Sequence, residues 1–332
     1  MNHRASKNWI DCIGRRTRDT ALPIRLAVIA VIGGLLLLAA VTASGQSLNG
    51  FDLSNASLLQ SEILPGGPPR DGIPAIDRPK FIAARQATFL SDDDRVLGIS
   101  HQGIARAYPI RILNWHEIVN DQFAGEAVVV SFCPLCGTGT AFSALHGKAK
   151  TFGVSGLLYN SDLLLYDRET ESLWSQIAAK AIAGPLRGEV LNLLPVIHTS
   201  WADWRKRYPD TAVLSTDTGY SRDYQRSPYA GYENSDRLFF PVGRLDRRYH
   251  PKEQVIGVEI NGHYKVYPFS ELAHTAGEVS DEIDGEKVLV RFDKAQRSAQ
   301  VFNAGGEPIP SLTGFWFAWM AFHPDSAVFS AK

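Results

Sequence analysis

The chain has 332 residues, 45% of them hydrophobic, with a formal net charge of -1. That length supports a substantial core in one large domain or two smaller ones, and the balanced charge excludes nucleic acid as the main partner, because nucleic acid selects a basic face. The 28 glycines and 18 prolines point to a turn-rich chain, and with three cysteines in all, a closely spaced pair is either chemistry or a local staple.

Residues 26–43, LAVIAVIGGLLLLAAVTA, are 18 residues without a charge. At about 1.5 Å per residue they nearly match a hydrocarbon core of about 30 Å. Arg4, Lys7, Arg15, Arg16, Arg18 and Arg25 precede them against only Asp11 and Asp19. This asymmetry keeps the start of the chain in the cytoplasm and exports the residues beyond the apolar stretch. Residues 1–45 are therefore expected to be a basic cytoplasmic segment plus a single transmembrane helix, the chain's contact with the inner membrane. The remainder would be periplasmic. Cleavage at Ala43, Ser44 and Gly45 would release it, but the 25-residue leader is long for a signal peptide and favours a retained anchor. Cys12 then lies on the cytoplasmic side and cannot partner Cys133 or Cys136, which are left together in an oxidising compartment. Residues 46–80, containing LPGGPPRDGIPAIDRP, read as a Pro/Gly-rich linker without regular structure.

From residue 81 the sequence repeats itself. RVLGISHQGIARAYPIRIL at 95–113 aligns with QVIGVEINGHYKVYPFSEL at 254–272. GEAVVVSFCPLCGTGTAFSA at 125–144 aligns with GEKVLVRFDKAQRSAQVFNA at 285–304, and WADWRKRYPDTAVLS at 201–215 with WFAWMAFHPDSAVFS at 316–330. Each copy reads as a strand hairpin, a short helix after Tyr-Pro, a second hairpin, a tryptophan-bearing helix and a final strand. The expected fold is α+β, mainly β, with two related hairpin/helix modules in pseudo-symmetric arrangement, at 81–217 and 253–332, joined by a Tyr/Arg-rich connection at 218–252. Ser200 with Asp203 forms a capping-box start for the tryptophan helix, whose Trp201, Trp204, Arg205 and Tyr208 share a packed face.

Differences between the copies mark where function sits. Cys133 and Cys136 face Asp293 and Gln296, so the hairpin does not need cysteines to form. NWHE at 114–117 faces AHTA at 273–276, making His116 private to the first copy. Phe142 to Trp201 spans 59 positions against 14 for Phe302 to Trp316, an insertion of 45 residues directly behind the cysteine hairpin.

Cys133-Pro134-Leu135-Cys136-Gly137 between two strands has the form of a metal knuckle, with both sulfurs on one side and a glycine free to take positive φ. One knuckle supplies two ligands, and His116 is the candidate third. Two thiolates and an imidazole suit a copper, zinc or iron centre. No nucleotide cofactor is implied. A thiol-disulfide oxidoreductase would use the same cysteines, although GTGTAF behind them is a poor helix start and the usual activating device is missing. A non-enzymatic ligand- or partner-binding module with a structural disulfide is the third possibility.

Within the insertion, residues 163–166 read as a strand, 167–171 as a turn and 172–177 as the return strand. Asp162 and Asp167 are candidate acid/base groups beside Cys133 and Cys136. Asn160, Asp162, Trp174 and Arg222 are candidates for an outer shell or a ligand pocket. Tyr220, Tyr224, Tyr229 and Tyr232, interleaved with Arg222 and Arg226, either line a cleft or cover the seam between the copies.

SFCPLCGTGTAF, FGVSGLLYNSDLLLYDRETESLWSQ and HTSWADWRKRYPDTAVLSTDTGYSRDY together resemble the bacterial domain family of unknown function DUF3179. The resemblance covers roughly residues 60–330. It implies an exported or membrane-anchored protein and brings no established activity. Cys133, Cys136, His116 and the NSDLLLYDR segment fall within the family pattern.

Overall fold

A computed structural model describes residues 47–331. The apolar stretch 26–43, the basic leader and Cys12 lie outside the described residues, among which no helix is long and apolar enough to cross a membrane.

In chain order, a short hairpin of β1 (Ser47–Leu48) and β2 (Phe51–Asp52) leads to β3 (Ile63–Pro65) and β4 (Phe81–Ala83). The first copy comes next, with β5 (Arg95–His101), β6 (Ile104–Pro109), α1 (Ile110–His116), β7 (Ile118–Phe123), β8 (Glu126–Cys133) and β9 (Thr138–Ser143). Two short strands, β10 (Leu145–His146) and β11 (Lys148–Ala149), open the insertion. It continues as β12 (Phe152–Tyr159), β13 (Asp162–Asp167), β14 (Leu173–Ser175) and β15 (Lys180–Ala183). The first copy closes with β16 (Asn192–Leu194), β17 (Ile197–Ser200), α2 (Trp201–Arg207) and β18 (Ala212–Leu214). The second copy comprises β19 (Gln254–Ile260), β20 (His263–Pro268), α3 (Phe269–Leu272), β21 (Glu278–Ile283), β22 (Glu286–Asp293), β23 (Ser298–Asn303), β24 (Leu312–Phe315), α4 (Trp316–Phe322) and β25 (Ala327–Val328).

The chain is mainly β with few helices, and its five larger sheets suggest a propeller-like ring of five blades rather than two separate modules. Four blades come in matching pairs. β17-β5-β6-β18 has the strand order of β24-β19-β20-β25, with the last strand parallel to its neighbour in both. The antiparallel β7-β8-β9 matches β21-β22-β23. The fifth blade, β15-β14-β13-β12-β3, comes mostly from the insertion.

Local chemistry accounts for the hairpins. Gln102-Gly103, Ala124-Gly125, Asn261-Gly262 and Asp284-Gly285 each put two consecutive residues at positive φ, the backbone that matches strand twist in a two-residue turn. α2 starts where Ser200 Oγ accepts from the Asp203 N–H at 3.1 Å, and Trp201 and Trp204 on it are buried while Arg205 stays exposed.

Residues 47–80 of the expected 46–80 linker are not structureless. Phe51, Leu53, Ile63, Ala75 and Ile76 are buried, and β3 pairs with β12, Ile63 opposite Tyr159 and Pro65 opposite Leu157. Proline is compatible with this because β3 is an edge strand that need not donate from that position.

Two packing relations position the site. The matching hairpins bury differently: every residue of β8 from Ala127 on is buried, whereas β22 alternates between core and solvent. The insertion makes the difference by packing β12 on β7, where Asn120 Nδ2 donates to Phe152 O and Asn120 Oδ1 accepts from Phe152 N–H, both at 2.8 Å. The hairpin tips also cross between the copies. Phe315 N–H at the end of β24 donates to Cys136 O at 2.8 Å. Reciprocally, Arg95 Nη1 donates to Gln296 O at 2.5 Å and Ser200 Oγ bonds Gln296 Oε1.

Candidate metal centre

Cys133 ends β8, Thr138 opposite it begins β9, and residues 134–137 form the turn. Gly137 has φ +64°, and a Cβ there would stand 3.0 Å from the Phe315 ring, so glycine suits both the backbone and the space, although Arg297 takes the matching position of the second copy at φ +46°. The apolar sequence of β8 delivers the turn into the core. Cys133 is 1% exposed and Cys136 is fully buried; both are free thiols.

The third component comes from the insertion. β12 and β13 are joined by Asn160 and Ser161, both at positive φ, and this tight turn sets Asp162 at the start of β13 facing the cysteines. One ligand atom from each of Cys133, Cys136 and Asp162 lies within 4.8 Å of the others. Ser161 O, 3.4 Å from Cys136 Sγ and 3.9 Å from Cys133 Sγ, adds a carbonyl beside both sulfurs.

A buried polar network holds Asp162. The Ile177 N–H donates to its Oδ2 at 3.2 Å, and Thr138 Oγ1 lies 3.5 Å from its Oδ1. Thr138 Oγ1 also donates to Gln176 Oε1 at 2.5 Å, and Gln176 Nε2 donates to Ser131 Oγ at 2.8 Å. Glu117 adds a fourth acidic group. It caps α1 at φ +57°, and its carbonyl accepts from the Phe132 N–H at 2.8 Å.

Burial dominates the electrostatics. It pushes the Asp162 carboxyl up to about 7 against the lowering effect of the Ile177 N–H, and the Glu117 carboxyl up to about 8 against the neighbouring Tyr229 hydroxyl. Burial likewise raises both thiols, Cys136 the further. Among the described residues no basic group offsets either carboxyl. Lys252, also buried, donates instead to the carbonyls of Ser235 and Arg237 and lies 4.0 Å from the Tyr232 ring centre. Two thiols and two carboxyls are thus shut away from water with no basic side chain among the described residues to pair them.

The other expected site residues go elsewhere. His116 is fully buried, but its Nδ1–H donates to Pro74 O at 2.8 Å and its Nε2 accepts from the Tyr224 hydroxyl at 2.7 Å. Both ring nitrogens are used, burial lowers its pKa, and Asp162 rather than His116 completes the cysteine group. Asp167 closes its own turn, accepting from Thr170 N–H at 2.7 Å and from Trp174 Nε1 at 2.9 Å, so Asp167 and Trp174 hold each other, and Asp167 is not among the residues grouped with the sulfurs. Asn160 ties the β12–β13 turn to Gly243 N–H at 2.8 Å and Ala321 O at 3.2 Å. Arg222 is exposed, 5.9 Å from the Trp115 ring centre.

Glu117, Thr138, Ser161 and Gln176 belong to the site without standing out in the sequence motifs. Glu117 carries a usable signal, since it stands opposite Ala276 and is as private to the first copy as His116. The tyrosine-rich connection joins the site: Tyr224 bonds His116, Tyr229 borders Glu117, and Tyr232 lies near both sulfurs.

A family model described as "Protein of unknown function (DUF3179)" matches residues 70–305. No curated protein and no solved structure matches the chain.

Proposed function

The chain belongs to the DUF3179 family, whose description names no activity, and from its site we propose a cation-binding protein with Cys133, Cys136 and Asp162 as ligands. The carrying observation is that three ligand atoms converge within 4.8 Å in a fully buried acidic pocket that has no basic partner among the described residues. Buried charges are ordinarily paired or coordinate a metal, and here the protein supplies no pair. Thiolates favour zinc, iron or copper, whereas the carboxylate is a hard ligand that suits zinc or iron(II) better than copper(I). Zinc is the first choice. A fourth position falls to the Ser161 carbonyl or to water, and Glu117 can take up or hold a proton beside the ligands.

The same burial speaks against a thiol-disulfide oxidoreductase, which needs a depressed thiol pKa and access for a partner disulfide. Both thiols are raised and enclosed. A structural disulfide in a binding module has no observation in its favour beyond the spacing of the pair.

Placement in the inner membrane with an exported folded part is supported by the uncharged stretch 26–43 behind its basic leader. The matching blade pairs and the reciprocal hairpin tips support two pseudo-symmetric copies, 81–217 and 253–332, within the five-sheet arrangement.

Elemental analysis of protein purified under reducing conditions without chelator tests the assignment. One zinc or iron per chain is expected, lost in Cys133→Ser and Asp162→Asn and retained in His116→Ala. A metal-free protein that takes up neither zinc, iron(II) nor copper(I) in reconstitution would end it.

A further inference from the structure

Against the cysteine turn lies a cavity of about 420 Å³. Pro134 and Gly137 of the turn form part of its wall, with Arg95, His198, Arg297 and Tyr229 among the other lining residues. It sits where the copies cross, since Arg95 belongs to β5 of the first and Arg297 to the hairpin tip of the second.

Its polar lining is incompletely satisfied. His198 is 6% exposed and its Nδ1 has no hydrogen-bond partner among the described residues; the same holds for Arg95 Nε. Arg95 is otherwise well anchored. Its Nη1 donates to Gln296 O and its Nη2 to His198 O and Arg297 O, the latter two at 2.9 Å. Leaving such groups unpaired in the interior is costly, and both belong to side chains that line this cavity, so a ligand reached by a small side-chain shift is a natural partner. Arg95 and Arg297 bring positive charge to the imidazole, while the acidic lining residues Asp93 and Glu233 are exposed. Phe132 and Phe315 add apolar wall. A cavity of this size with a few convergent donors on an apolar lining is the usual form of a small-molecule site, for which about 300 Å³ is the lower bound.

We propose that this cavity binds a small oxyanion, a carboxylate or phosphate group, through His198, Arg95 and Arg297. The assignment stands apart from the cation site: it uses other residues and holds whether or not the cysteines carry a metal. Its position does give it a chemical neighbour, since a ligand here presses on the turn that carries Cys133 and Cys136.

Full-length protein, titrated calorimetrically at constant ionic strength with inorganic phosphate, acetate and benzoate against chloride, provides the test. Saturable binding of at least one oxyanion is expected, with chloride failing to match it. Phosphate alone would identify a phosphate site, and acetate or benzoate a carboxylate site. His198→Phe should weaken binding about tenfold or more, as loss of a charge-assisted hydrogen bond does. Arg297→Gln, at an exposed position that leaves the core intact, should weaken it similarly. No saturable binding of any of the three, or affinities unchanged in both His198→Phe and Arg297→Gln, would overturn the proposal.

Discussion

Replacing Asp162 by asparagine should abolish cation binding and at the same time make the metal-free protein more stable above neutral pH. The carboxyl is raised by burial from 3.8 to about 7. An acid whose folded pKa exceeds its unfolded one binds more protons when folded, so its ionisation opposes folding. The penalty is absent below pH 3.8, grows as pH rises, and is complete above about 7. Some three units at about 1.4 kcal/mol each give about 4 kcal/mol at pH 8 and under about 2 kcal/mol at pH 5. Asparagine keeps an acceptor for the Ile177 N–H and removes the charge, but must place its own N–H groups, so the net gain should be about 2 to 4 kcal/mol at pH 8. Urea denaturation of reduced, chelator-treated protein would show it as a higher midpoint for the variant at pH 8 and a much smaller difference at pH 5. Saturating zinc should reverse the order, because only the wild type gains from ligand linkage. A variant less stable than wild type by the same margin at both pH values would refute the buried-charge argument and leave Asp162 as an ordinary hydrogen-bond acceptor.

His116→Ala should leave metal content unchanged while lowering stability by about 2 to 4 kcal/mol in denaturant melts, because it empties a buried position, strands Pro74 O and leaves the Tyr224 hydroxyl with Thr218 Oγ1 as its remaining partner. Gly98→Ala and Gly257→Ala should each lower stability by about 1 to 3 kcal/mol or more, seen as a lower melting temperature, since each new Cβ would meet the ring of Trp204 or Trp319 at 2.1 Å. His323, stacked on Tyr264 at 4.0 Å, is lowered by burial from 6.5 to about 4. Stability should therefore be full above pH 6.5 and fall by about 2 to 3 kcal/mol as pH drops toward 4. His323→Gln should make that limb of the stability-pH curve shallower, leaving the share that the similarly lowered His116 and His198 contribute.

The repeat is readable in the sequence because three blocks keep their order, and with it come the hairpins, the cap at Ser200 and the strand return at β14. Gly137 is readable for the same reason, since a knuckle turn demands positive φ. What the sequence cannot display is enclosure. Ala127 to Val130 looks like the start of any hairpin, and it is the 45-residue insertion, folded into a separate blade, that buries its second face. His116 misleads for a related reason: its partners, Pro74 and Tyr224, are 42 and 108 positions away. Asp162 stands out for flanking an apolar run, but its place beside the sulfurs depends on the Asn160-Ser161 turn, whose direction local pattern does not give. The proline-rich stretch before residue 80 misleads because a three-residue edge strand tolerates proline.

The crossing of the hairpin tips bears on what would happen if the chain were cut. Each copy stops the other's hairpin, through Phe315 on Cys136 and through Arg95 and Ser200 on Gln296, so neither half owns all of its own interior. A nick in the strand-free connection between β18 and β19 would leave two fragments clasped together rather than two free proteins. Fragments made separately should be poorly folded alone and recover on mixing, which makes the fold a natural split-protein pair whose reunion restores the wall shared by the cysteine turn and the cavity behind it.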